Sequence, residues 1–135
     1  MTSKEWNSFV DEINEALAAR QITSEVHILK ADGGTLPINL SRNMPCETVF
    51  SGPAASTMGA LALSRDKSNA VVIDIGGTTT DIALIIEGVP LYASKGARIN
   101  ERYTHVNAFA VRSIALGGDS SISISAGQPE VEPIR

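Results

Sequence analysis

The 135-residue sequence predicts an α/β domain, a mixed sheet of hairpin-connected strands with flanking helices. Three observations carry this expectation. Ala70-Val71-Val72-Ile73-Asp74-Ile75 is a near-continuous β-branched run, as in a strand buried on both faces. Gly76-Gly77 and Glu87-Gly88 interrupt the apolar pattern on either side of Ile82 to Ile86, at hairpin spacing. Trp6, Phe9, Val10, Ile13 and Leu17 instead recur at i, i+3, i+4, i+7 and i+11, one stripe of a helix.

That first helix is expected to run to about Arg20, with Thr2 and Glu5 as a capping box and the stripe packed into a core. Glu25 to Lys30 reads as a short strand stopped by Asp32-Gly33-Gly34. His27 within it lacks a second ligand and reads as an ordinary packed or exposed histidine. Pro37, Asn39, Ser41, Asn43 and Pro45 make Leu36 to Thr48 a winding connection, and Pro53 suits the first turn of a helix. Ala54 to Leu63, built of Ala, Met, Leu, Gly, Ser and Thr, predicts a helix that closely approaches its neighbour, with tight packing rather than ligand contact as its role.

Three strands are expected next, at 70–75, 82–86 and 89–93. Arg98 to Thr104 is polar and reads as loop, while Val106 to Leu116 is apolar enough to be buried, as helix or strand. Gly117-Gly118-Asp119-Ser120 is a turn and Ser121 to Ser125 alternates as a strand does; a tail over 127–135, with Pro129 and Pro133, is expected to fray. The organisation is one domain: a helix/strand segment over 1–66, a lobe over 67–126 and the tail.

Composition narrows the function classes. With 43% hydrophobic residues the chain can fill a core, so intrinsic disorder is not expected. Eleven Lys and Arg stand against 15 Asp and Glu, without a basic cluster, and aromatics are 4%, which speaks against a nucleic-acid binder. The single cysteine, Cys46, can form neither an internal disulfide nor a zinc site of its own, and it has no neighbouring base to make it a nucleophile. The uncharged stretch Thr48 to Ser64 is too short and polar for a membrane span, and the first residues carry no apolar signal segment; a cytoplasmic location is the expectation.

The chemistry concentrates in Asp74-Ile75-Gly76-Gly77-Thr78-Thr79-Thr80-Asp81. Glycines can adopt positive φ and turn their amides toward an anion, and Thr78, Thr79 and Thr80 add hydroxyl donors for phosphate oxygens. Asp74 ends a strand where an unpaired carboxylate is costly, and a magnesium ion would offset that cost, since Mg²⁺ takes one or two carboxylates plus phosphate oxygens. The alternative is a plain hairpin in which Gly-Gly turns the chain and the aspartates cap amides. Neither a Walker loop nor a Gly-x-Gly-x-x-Gly fingerprint is present.

This hairpin resembles the phosphate loops of the actin, sugar-kinase and Hsp70-type ATPases, whose lobes are ribonuclease-H-like. Together with Pro45-Cys46-Glu47-Thr48-Val49-Phe50-Ser51-Gly52-Pro53-Ala54-Ala55 and Gly117-Gly118, it is similar to the hydantoinase A/5-oxoprolinase family over nearly the whole chain. The resemblance implies a ribonuclease-H-like (actin-like ATPase) lobe cut from a longer ATP-dependent hydrolase that opens cyclic amides such as hydantoins or 5-oxoproline. It implies ATP held between this lobe and a missing N-terminal lobe, with Gly76, Gly77, Thr78, Thr79, Thr80, Gly117 and Gly118 as nucleotide-binding residues. Asp74 would serve the Mg²⁺ or the attacking group, with Asp81 a weaker catalytic candidate. Where many members have a glycine this chain has Asp119, a carboxylate that could meet a metal or a ribose hydroxyl.

A non-enzymatic nucleotide switch, of the kind that reactivates radical enzymes, shares the hairpin but fits the Ser51-Gly52-Pro53-Ala54 segment less well; a sugar or acid kinase lobe fits it least. An isolated lobe is expected to be inactive, because half a cleft does not exclude water, and to self-associate through the apolar surface the missing lobe would cover.

Overall fold

A computed structural model describes residues 3–64, 66–99 and 102–133. Helix α1 (Ser3–Ala19) turns the predicted stripe inward. Trp6 and Val10 are buried against Ile38, with Ile13, Val26 and Ile28 packed around them. Phe9 stays 41% exposed, its ring tilted against Trp6 with centroids 5.3 Å apart. The Trp6 indole N–H donates to Ser41 Oγ at 2.9 Å, and the fully buried Ser41 hydroxyl donates onward to the Ile38 carbonyl at 2.6 Å. Both polar groups are thus satisfied inside the cluster. The expected capping residue Thr2 lies outside the described residues.

Strand β1 (His27–Leu29) pairs antiparallel with β2 (Thr35–Pro37), a strand at the start of what reads in sequence as a winding connection. Its turn is built by Gly33 at φ 82° and by Asp32, whose Oδ1 accepts from the Gly34 amide at 2.9 Å. Pro37 is tolerated because it ends a two-stranded edge. Two single 3₁₀ turns, Leu40–Asn43 and Pro45–Thr48, fill the rest of the connection. Lys30 Nζ reaches Asp32 at 3.0 Å and Glu47 at 3.5 Å.

Helix α2 (Ser51–Leu63) follows Phe50, whose φ of 65° turns the chain into it, and buries only Ala54 and Thr57. With such small side chains inward it lies on β3 (Ala70–Ile75) and β4 (Thr80–Ile86). Strand β4 is central: β3 flanks it on one side, while β5 (Val89–Pro90) and β8 (Val111–Ile114) lie end to end on the other. Between β5 and β8 the chain makes an excursion carrying the short pair β6 (Arg98–Ile99) and β7 (Arg102–Tyr103), where the sequence reads as loop. This excursion binds the first fifty residues to the sheet. Ala97 and Ala108 bury against Ala31, Phe109 N–H donates to the Ala31 carbonyl at 3.0 Å, and Tyr92 packs edge-on to Phe109 at 5.1 Å.

The fold is the expected α/β lobe, and it differs from expectation in three further details. Every strand pairing among the described residues is antiparallel rather than mixed. Strand β3 is not covered on both faces: Val71, Ile73 and Ile75 are 59%, 59% and 68% exposed, because α2 covers only the other face and β3 is the sheet's edge. Leu84, opposite Val71, and Ile86 extend this open apolar face. Finally, residues 128–133, expected in the fraying tail, form β10 (Gln128–Pro133), paired along its length with β9 (Ser120–Ser125). Ala126 and Gly127, both at positive φ, make the two-residue turn, and the prolines fit because the ribbon has only edges.

Three outcomes are expected. Ser41→Ala, which strands the buried indole N–H, lowers stability by about 1–3 kcal/mol, read by urea unfolding through the single tryptophan. The isolated chain binds a hydrophobic dye and self-associates, and Val71→Lys with Ile73→Lys suppresses both, read by fluorescence and sedimentation. Burial alone would push Asp32 up, but the Gly34 amide and the Lys30 ammonium outweigh it and hold the carboxyl below its ordinary value. A depressed carboxyl contributes stability that is complete above its unfolded value and is lost as pH falls through the folded one. Acid titration of stability should therefore steepen below about pH 4, and Asp32→Asn should flatten that limb.

Candidate functional site

The turn between β3 and β4 spans Gly76, Gly77, Thr78 and Thr79, all exposed. It is closed by the Gly76 amide donating to the Thr79 carbonyl at 2.9 Å. Among the described residues the amides of Gly77, Thr78 and Thr79 donate to no backbone carbonyl. Two of the turn's acceptors, by contrast, are taken from outside: Gly118 N–H donates to the Gly76 carbonyl at 2.9 Å and Asp119 N–H to the Gly77 carbonyl at 2.7 Å. What remains free is a run of three consecutive donors, the arrangement that suits an anion.

The glycines serve this turn differently from the expectation of positive φ. Among the described residues left-handed glycines occur at 33, 88, 96 and 127, and none of Gly76, Gly77, Gly117 or Gly118 is among them. The requirement is contact distance. A Cβ on Gly117 would lie 2.4 Å from the Gly77 carbonyl oxygen and 2.7 Å from that of Gly76, closer than real Cβ atoms approach. Gly117 and Gly118 therefore weld a second loop to the hairpin, and their amides are occupied, by Ser120 Oγ and by Gly76, rather than offered to phosphate. Thr80 has a structural contact of its own. It is 6% exposed and its hydroxyl donates to the Leu116 carbonyl at 2.5 Å, pegging the hairpin to the same loop. Gly76, Gly77, Thr78 and Thr79 remain as the open part of the set.

Asp74 and Asp81 face one another across β3 and β4. Their side chains share the face that α2 covers, in a narrow gap also lined by Pro53, Ser56, Thr57 and Val111. Like charges directly opposite in a sheet are destabilising, so the pair needs donors or a cation. One donor is present: Ser56 Oγ, on α2, makes a short hydrogen bond to Asp74 Oδ2. Asp74 Oδ1 and both oxygens of Asp81 accept no hydrogen bond among the described residues. Ser56 is not singled out by the sequence; the signal it offers is a hydroxyl in a helix rich in small residues, beside Pro53 and Thr57.

Among the described residues no group of three or more His, Cys, Asp or Glu converges as a metal site. A cation at Asp74 and Asp81 would thus need oxygens from a bound phosphate or from water to complete its shell, which fits Mg²⁺ better than a dedicated protein cage. Asp119 lies against the turn, its Oδ2 3.0 Å from where a Gly77 Cβ would stand. Beside Asp81, between the start of α2 and the excursion, opens a largely apolar cavity of about 650 Å³, reached also by Leu84, Phe109, Arg112 and Ser113.

The family model described as hydantoinase/oxoprolinase matches residues 2–135. No curated protein matches the chain. Among solved structures it is similar to acetone carboxylase, in a nucleotide-free structure described as bearing on ATP-dependent acetone carboxylation, with a TM-score of 0.75 and 24% identity. That similarity covers 92% of this chain and 18% of the acetone carboxylase chain, so the present sequence spans under a fifth of that neighbour's length.

Gly117→Ala should force the second loop off the turn. The expected result is a loss of about 1–3 kcal/mol in stability with NMR shift changes centred on Gly76 and Gly77. An unperturbed spectrum would mean the two loops are not in contact.

Proposed function

The chain belongs to the hydantoinase/oxoprolinase family, and on that premise we propose that it is the phosphate-binding part of an ATP-dependent hydrolase that opens cyclic amides of the hydantoin or 5-oxoproline type. The observation that carries this reading is the exposed run of unengaged amides at Gly77, Thr78 and Thr79, set next to the facing carboxylates of Asp74 and Asp81. Three donors in one turn hold a terminal phosphate, and the Thr78 and Thr79 hydroxyls add to them. Asp74, with one oxygen tied to Ser56 and the other open among the described residues, would hold a Mg²⁺ ion, which would supply charge to offset that of the phosphate, with Asp81 its weaker companion.

The chemical problem is that an amide carbonyl is a poor electrophile. ATP supplies the activation: its terminal phosphoryl group passes to the amide oxygen and ADP leaves; one water adds to the carbonyl carbon, the ring C–N bond breaks with a proton passing to nitrogen, and a second water hydrolyses the resulting acyl phosphate to carboxylate and inorganic phosphate. The work of this chain in that sequence is positioning and charge: the turn fixes the phosphate and the carboxylates fix the cation. The cavity beside Asp81 is of the size that small-molecule sites take, and it favours a small substrate over the partner-remodelling reading. The opposite wall of the cleft, and with it the exclusion of water, belongs to the missing N-terminal lobe.

The test uses the longer protein that contains this chain, supplied with Mg²⁺. The expected result is phosphate release from ATP that rises on addition of a hydantoin or 5-oxoproline and matches ring opening in amount. Asp74→Ala should lower kcat/KM about 10²–10³-fold. Failure to hydrolyse ATP or open any cyclic amide across a metal-supplemented screen would sink the proposal.

A further inference from the structure

We propose that Ser56 is the positioning residue of the Asp74 carboxylate: its hydroxyl ties down one oxygen and leaves the other presented to the cation of the phosphate site. This rests on the reading of Asp74 as a metal-holding carboxylate. Ser56 stands on the second turn of α2, on a helix whose neighbouring inward residues, Ala54 and Thr57, are buried against the sheet. Its position relative to β3 is therefore set by packing.

The hydroxyl has one proton and two acceptors within reach. One is the Gly52 carbonyl in its own helix, at 3.4 Å; the other is Asp74 Oδ2, at a much shorter distance. A hydrogen bond to a carboxylate is shorter and roughly twice as strong as one between neutral groups, so the proton goes to Asp74. Thr57, the next residue, shows the other choice: its hydroxyl donates back to the Pro53 carbonyl at 2.8 Å and stays within the helix. Of two adjacent hydroxyls, only Ser56 leaves the helix for the sheet.

Packing alone gives no reason for a hydroxyl here. Alanine is the better helix former and is already the choice at 54, 55 and 60, so a serine is disfavoured by the helix itself. Asp81 directly opposite raises the cost of Asp74's charge. The contact with Ser56 offsets part of that cost and restricts the carboxylate to one orientation. It does so without consuming Oδ1, which accepts nothing among the described residues.

The test uses the 135-residue chain, Mn²⁺ as a paramagnetic stand-in for Mg²⁺, and ADP. It reads line broadening at the Gly76, Gly77 and Thr78 amides, and separately the shifts caused by ADP without metal. Ser56→Ala, which favours the helix, is expected to weaken Mn²⁺-ADP binding about tenfold, the share of one charge-assisted hydrogen bond, while metal-free ADP binding stays within about twofold. Ser56→Thr keeps the hydroxyl and should restore the affinity to within about threefold of the parent chain. Asp74→Asn should abolish the metal dependence. If Asp74→Asn abolishes it and Ser56→Ala binds Mn²⁺-ADP as the parent does, positioning by Ser56 is wrong and the metal reading of Asp74 stands. Equal weakening by Ser56→Ala and Ser56→Thr would make the residue a packing element and overturn the proposal. Unchanged metal dependence in Asp74→Asn would remove the reading on which it rests.

Discussion

Gly117 touches the backbone of the β3–β4 turn more closely than any residue with a side chain could, since a Cβ there would stand 2.4 Å from the Gly77 carbonyl oxygen. The rest of the candidate site depends on that contact. It lets Gly118 and Asp119 donate to the Gly76 and Gly77 carbonyls and brings Leu116 to the Thr80 hydroxyl. A tight turn normally presents carbonyls and amides together; here a second loop takes the Gly76 and Gly77 carbonyls, while the amides of Gly77, Thr78 and Thr79 stay unengaged among the described residues. On the proposed reading, the turn takes an anion because of which of its polar groups are already satisfied.

A second constraint acts from the other layer. Helix α2 approaches the sheet through Ala54 and Thr57, and at that distance a serine hydroxyl reaches across to Asp74. The run of small residues has two consequences at once: it sets the spacing between layers and brings a hydrogen-bond donor to a carboxylate that would otherwise face only Asp81. The excursion between β5 and β8 adds the third wall, because its buried alanines and Phe109 hold it against the β1–β2 turn. Helix, sheet and excursion together line the cavity that opens at Asp81.

Much of this was legible in the residues. The stripe of Trp6, Val10 and Ile13, the hairpin pairing of 70–75 with 80–86, and the carboxylates bracketing a glycine turn follow from periodicity and turn chemistry. What escaped depended on tertiary context. The open face of β3 could not be told from a covered one, because Val71, Ile73 and Ile75 are apolar in either case. Strands β2 and β10 were hidden by prolines, which are read as breakers yet are tolerated where a strand has only edges. A structural role of Gly117, Gly118 and Thr80 is hidden for a related reason: glycine and threonine beside such a turn suggest a ligand, and only the distances show that they hold two loops together. Ser56 was lost among alanines because its partner lies 18 residues away.

The central claim is that the unengaged amides of Gly77, Thr78 and Thr79 form a phosphate site served by Asp74. The most direct measurement is an NMR titration of this chain with Mg-ATP. The account predicts that the largest amide shifts fall on Gly77, Thr78 and Thr79 at millimolar nucleotide and disappear in Asp74→Ala. Shifts centred elsewhere, or an identical response in Asp74→Ala, would contradict it.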